Sequence, residues 1–157
     1  MLNLEKVKKL YEEAVIQAKH TPAIGCTLVG NCTTIHFGML SRAREFFEPD
    51  VEFTIGSISL NDINYFDFTP EEFRSWEAGN TKPRYNLHAW LFLPQHNETI
   101  DLTLAATLNH AGKVPLPKEV TFLTSAEAMK HGIKYKPFAN GDDLLCRLHL
   151  LRSGQGA

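Results

Sequence analysis

Residues 85–104 read YNLHAWLFLPQHNETIDLTL, and the fold turns on how this stretch doubles back. Two apolar runs, Tyr85 to Leu93 and Glu98 to Leu104, flank the turn-forming Pro94-Gln95-His96-Asn97, so they are expected to pair as a hairpin. With residues 93–96 as a four-residue loop, residue 92 pairs with 97 and His88 stands opposite Asp101. Alternation then places Leu87, Ala89, Leu91 and Leu93 on one face with Ile100, Leu102 and Leu104, a surface fit for a core. His88 and Asp101 take the other face, beside Trp90. Opposed β-carbons in such a pair are roughly 5 Å apart, close enough for a carboxylate to accept a hydrogen bond from an imidazole and orient it.

Upstream, Leu4, Val7, Leu10, Tyr11, Ala14, Val15 and Ala18 recur at helical spacing, which predicts a helix to about His20, ended by Thr21-Pro22. Gly25 and Gly30 bracket a loop. A second helix is expected to start beside Cys32, burying Ile35, Met39, Leu40, Ala43, Phe46 and Phe47, and to stop at Glu48-Pro49-Asp50. Val51 to Leu60 suggests a strand interrupted near Gly56. Thr69-Pro70-Glu71-Glu72 has the cap, the proline and the glutamate that open a short helix to about Trp76. Downstream the pattern predicts a strand over Glu119 to Leu123, a helix from Ser125 to about His131 and an apolar helix from Gly141-Asp142 through Leu151. Residues 152–157 are expected to fray. Together these elements predict one α+β domain over residues 1–157, with N-terminal helices packed on a mostly antiparallel sheet.

The chain has 16 basic and 18 acidic residues and 43% hydrophobic residues. A net charge of −2 provides no electrostatic footprint for a nucleic-acid backbone or an anionic membrane, which leaves a protein or a small molecule as partner. The N-terminus is charged and amphipathic from the start, so a cytoplasmic location is expected, with signal-independent secretion as an effector left open. Three cysteines make no disulfide framework and fit a reducing compartment. Dinucleotide-binding, phosphate-loop and serine-elbow motifs are all missing, and no heptad seam speaks to oligomeric state.

Cys32 supplies the nucleophile that His88 and Asp101 lack. Gly30-Asn31-Cys32-Thr33-Thr34 reads as a loop entering a helix, where the helix N-terminus and a nearby imidazolium favour the reactive thiolate. Backbone amides at the same place suit a developing oxyanion. Trp76, Tyr85, Trp90 and Phe92 are candidates for lining a substrate groove, or for the core.

Gly30-Asn31-Cys32 at a helix start, a strand ending in Gly56, His88-Ala89-Trp90, and Ile100-Asp101-Leu102-Thr103 together resemble the transglutaminase-like branch of the papain-fold cysteine enzymes. The resemblance spans about residues 25 to 104. It implies a papain-like fold, a Cys32–His88–Asp101 triad and thioester chemistry without a cofactor or metal: a deamidase, amidase or peptidase, or a transglutaminase or acyltransferase. The chain's small size favours a narrowly directed amidase or deamidase acting on a protein or small-molecule amide, of the kind found among bacterial effectors and toxins. The glutamine that many such enzymes carry six residues before the nucleophile is replaced by Cys26, and the aromatic residue before the aspartate is replaced by Thr99-Ile100. Asn31, Cys26 or a backbone amide of the 26–32 loop is then the candidate oxyanion donor.

Other readings compete. Taken alone, Cys32 is more often structural than catalytic, His88 reads as a core histidine and Asp101 as a hairpin-edge cap; a silent papain-like domain would bind a protein partner through the same groove. Cys146, set among leucines, reads as core. His36, four residues after Cys32, allows a zinc set of Cys26, Cys32, His36 and His88, although no short paired ligand spacing supports it.

Overall fold

The computed structural model describes residues 2–82, 84–112 and 116–150 of the 157. Helix α1 spans Leu4–Lys19. Asn3 caps it, its side-chain oxygen accepting the Glu5 and Lys6 N–H groups, and Val7, Leu10, Ala14 and Ala18 form its buried stripe. A 3-10 turn at Pro22–Ile24 leads through the Gly25–Gly30 loop into α2, Cys32–Phe46. This helix buries Ile35, His36, Met39, Leu40 and Ala43, while Phe46 and Phe47 are half-buried at its end. The two helices pack on each other, and α2 lies against the sheet.

Six strands build that sheet: β1 (Glu52–Leu60), β2 (Ile63–Tyr65), β3 (His88–Leu93), β4 (Glu98–Asp101), β5 (Leu123–Thr124) and β6 (Ile133–Asn140). Every ladder among them is antiparallel. β6 runs along one edge of β1. β3 and then β2 take successive stretches of the other edge, and β4 and β5 follow β3. The observed architecture is therefore α+β with a six-stranded antiparallel sheet.

Both faces of the sheet are covered, which is why β1 is buried along nearly its whole length rather than alternating. On one face Phe53, Ile55, Ala89, Leu91, Leu93, Ile100 and Leu102 pack with α1 and α2. On the other, Ile58, Leu60, Leu123 and Ile133 pack with Leu104, Ala105 and Leu108 of α4 (Leu104–Ala111) and Ala128 of α5 (Ser125–Lys130). Helix α3, Pro70–Glu77, opens on the expected reciprocal cap between Thr69 and Glu72 and buries Phe73 and Trp76.

Several expectations are corrected. The hairpin turn is Pro94-Gln95-His96-Asn97, so Leu93 pairs with Glu98 and Leu91 with Ile100; the register is two residues from the expected one. Parity, and with it the face of every side chain, is preserved. The second hairpin strand stops at Asp101, because the Asp101 carboxylate accepts the N–H groups of Thr103 and Leu104 and turns the chain into α4. Leu104 thus leaves the face of Ile100 for the opposite core. β1 is not interrupted at Gly56. The β1–β6 ladder shifts register between Ile55 and Gly56, and a β-carbon at 56 would run into the Lys136 carbonyl and the Trp90 ring.

β2 and β6 are additions to the expected set. Asn61 and Asp62, both at positive φ (49° and 69°), make the two-residue hairpin turn into β2. β6 carries Pro137 and alternating lysines, the composition of an edge strand. Of the expected 119–123 strand only Leu123 enters a ladder, together with Thr124 just beyond it. The last helix, α6, is Leu144–Arg147, burying Leu144 and Leu145 while Cys146 is exposed. The end of that expected helix at Leu151 and the frayed tail at 152–157 lie outside the described residues. Among the described residues, no helix is long and apolar enough to cross a membrane.

Candidate active site

Asp101 stands at the end of β4, fully buried, with four donors converging on its carboxylate. Oδ1 accepts the backbone N–H groups of Thr103 (3.1 Å) and Leu104 (3.0 Å); Oδ2 accepts His88 Nε2–H (2.6 Å) and the Tyr135 hydroxyl (2.9 Å). A buried carboxylate so satisfied stays ionised. Burial opposes the charge, but the His88 charge and hydrogen bond and the Thr103 N–H outweigh it and hold the carboxyl well below its usual range.

His88, at the start of β3, is 2% exposed. Burial pushes its pKa down; the Asp101 charge, the hydrogen bond to that carboxylate and the nearby Cys32 thiol together outweigh burial and raise it well above the ordinary histidine value. The ring is stacked near Phe66 (centroids 5.2 Å apart) and Trp90 (5.9 Å), so its plane is held by packing as well as by Asp101. With Nε2 committed to the carboxylate, Nδ1 is the nitrogen available for proton transfer. Trp90 in turn packs on Tyr135 at 4.9 Å, joining β3 to β6.

Cys32 is the first residue of α2 and is partly exposed in a cleft of about 570 Å³ that His88 also lines. The first intrahelical bond of α2 runs from Ile35 N–H to Asn31 C=O, so the N–H groups of Cys32, Thr33 and Thr34 precede it and remain for a ligand. The loop before Cys32 is held on both sides. Gly30 N–H donates to Thr107 Oγ1 of α4, and Asn31 Nδ2 stands 2.9–3.1 Å from the carbonyls of Ile24, Thr27 and Val29.

His36 takes a part in the site that its sequence position did not signal. It is completely buried and joins two parts of the site: Nδ1 lies 2.7 Å from the Cys32 carbonyl, and the Leu102 N–H donates to Nε2 at 2.9 Å. A backbone N–H can only donate, so Nε2 holds a lone pair and Nδ1 carries the proton. The neutral ring is what the site needs. Burial, reinforced by the His88 charge, lowers its pKa to about 4 against the attraction of Asp101 and the Cys32 carbonyl. One carboxylate cannot neutralise two imidazolium ions, and His88 holds it more closely than His36, whose Nε2 is 3.7 Å from Oδ1. The helical spacing of His36 with Ile35, Met39 and Leu40 signalled burial; its bond to Leu102, 66 residues on, had no signal in sequence.

Three candidate residues take places other than those expected. Asn31 has its amide nitrogen committed to loop carbonyls, which removes it as a side-chain oxyanion donor. Cys26, at positive φ (58°) and exposed, is not among the residues lining the cleft. Trp90, 1% exposed, is a wall behind His88 rather than a surface for substrate. The set Cys26, Cys32, His36 and His88 does not suit zinc, because both ring nitrogens of His36 face backbone groups. Among the described residues, no group of three or more His, Cys, Asp or Glu side chains is placed to hold a metal ion. No family model, no curated protein and no solved structure matches the chain.

Proposed function

We propose that this chain is a cysteine-dependent amide hydrolase of the transglutaminase-like, papain-like kind, in which Cys32 is the nucleophile, His88 the general acid–base and Asp101 the residue that orients and charges His88. The observation that carries this reading is the 2.6 Å His88–Asp101 bond, buried and satisfied, behind a cleft that Cys32 lines from the start of a 15-residue helix. The order of the elements supports it as well: a helix bearing the cysteine, then neighbouring antiparallel strands bearing the histidine and the aspartate.

In this mechanism His88 Nδ1 already holds the proton given up by the thiol, so that Cys32 is a thiolate beside an imidazolium, and Sγ forms a bond to the carbonyl carbon of an amide. The Cys32–Thr34 N–H groups at the positive end of α2 stabilise the oxyanion. The C–N bond breaks, the leaving amine takes the proton from His88, and a thioester remains. Water, deprotonated by His88, attacks the thioester; the acid leaves and Sγ is again a thiolate beside the imidazolium. An amine in place of water gives acyl transfer by the same steps.

The test uses an activated ester, because acyl-enzyme formation requires no knowledge of the natural substrate. Incubation with p-nitrophenyl acetate should give a nitrophenolate burst and a single acetyl group mapped to Cys32, both lost in Cys32→Ala and strongly slowed in His88→Ala. Acetylation that survives Cys32→Ala unchanged, with Cys32 unmodified in the parent chain, contradicts the proposal and leaves a binding role for the cleft.

A further inference from the structure

Arg84 stands apart from the other described arginines. Arg42 pairs with Glu13 and Glu45, Arg44 with Asp142, Arg74 with Glu71 and Arg147 with Glu77. The Arg84 guanidinium has no carboxylate partner among the described residues; it lies at the rim of the Cys32 cleft, beside the loop that delivers the nucleophile. Its Nη1 is 2.8 Å from where a β-carbon at position 30 would stand, so the cation packs against Gly30, at φ 72°, two residues before Cys32. Among the described residues lining the cleft none is acidic, Arg84 is the only Lys or Arg, and Thr33, Thr34, Asn86 and Thr107 add uncharged polar groups.

From this arrangement we infer that the substrate of the cleft is an amide carrying a carboxylate close to the scissile carbonyl, which Arg84 binds and orients. This rests on Cys32 being the nucleophile, as proposed above. A guanidinium presents paired N–H donors in a fixed plane that match the two oxygens of a carboxylate. Because the cation flanks the loop preceding Cys32 while His88 flanks the thiol, a bound carboxylate would hold the acyl group between the oxyanion-facing amides and the imidazole. The recognised group would then be an acidic side chain or a free C-terminus next to the cleaved bond.

Two reagents that differ mainly in charge test this on the intact chain. Iodoacetate and iodoacetamide both place a carbon on Sγ with loss of iodide, and Cys26 and Cys146 serve as internal references. The iodoacetate-to-iodoacetamide rate ratio at Cys32 should exceed the ratio at Cys26. It should fall about threefold in Arg84→Gln at low ionic strength, the order expected from the loss of one nearby unit charge in a largely aqueous cleft. Arg84→Lys should keep more of the ratio than Arg84→Gln. His88 also favours the anion, but it is present in all three chains, so the difference reports Arg84. An Arg84→Gln ratio equal to that of the parent chain overturns the inference while leaving the nucleophile in place. Failure of Cys32 to react with either reagent overturns the proposed function and this inference with it.

Discussion

Lowering the pH from 7 towards 4 should destabilise the fold through one residue, His36. In the unfolded chain its imidazole titrates near the ordinary value of about 6.5, whereas in the fold its pKa is about 4. A histidine with a depressed folded value leaves the unfolded state binding more protons between the two, so its stability is fully present above pH 6.5 and is lost as pH falls. Each pH unit costs up to about 1.4 kcal/mol, which makes about 2 kcal/mol at pH 5 and about 3 kcal/mol near pH 4. The structural cause is that protonated Nε2 can no longer accept the Leu102 N–H, and a second cation would be buried beside His88. His88 does not oppose this trend. Its raised value contributes stability that is complete below pH 6.5 and is lost only as pH rises towards its folded value, and Asp101, held low, loses its contribution only below about pH 4. Urea unfolding followed by the fluorescence of Trp76 and Trp90, both buried, gives the free energy at each pH. His36→Gln should be less stable than the parent chain by about 1–3 kcal/mol at pH 7, and the gap should close as pH approaches 4.5. Parallel stability curves for the two chains would refute the neutral, tautomer-fixed role of His36.

Further outcomes follow from single contacts. Asp101→Asn removes the charge that balances His88 and weakens the cap on α4, and urea denaturation should show a loss of about 3–5 kcal/mol; a loss under about 1 kcal/mol would contradict a charged buried pair. Gly56→Ala must move the β6 backbone at Lys136 as well as Trp90, costing about 1–3 kcal/mol or more, with faster amide exchange over 133–140 as its local signature. Thr69→Ala should cost about 1 kcal/mol through the cap of α3 alone, and an unchanged denaturation midpoint would show that the cap contributes nothing.

What could be seen in the sequence was what depends on short-range pattern. The stripe of α1, the cap of α3 and the face-sharing of His88 with Asp101 all follow from periodicity or a four-residue motif. Even with the turn misplaced by one residue, parity kept both side chains on one face, and a diagonal pair in a twisted hairpin still reaches a hydrogen bond. What escaped depends on distant partners. β6 exists because β1 offers it an edge, despite Pro137; α4 begins because a carboxylate already in the site caps it; Tyr135 and Leu102 reach Asp101 and His36 across the fold. Asn31 illustrates the limit most clearly. Its proximity to Cys32 in sequence suggested chemistry, but its amide is occupied by the carbonyls of the loop it closes.

The central claim is that Cys32, His88 and Asp101 work as one unit, and the most direct measurement is the rate of iodoacetamide alkylation at each cysteine at pH 7, resolved by peptide mapping in the parent chain and in His88→Ala. Cys32 is less exposed than Cys26 and Cys146, so accessibility alone would make it the slowest of the three. An activated Cys32 is instead the fastest, by about tenfold or more, and His88→Ala removes the advantage while leaving the other two unchanged. A Cys32 rate at or below that of Cys26, indifferent to His88, would contradict it.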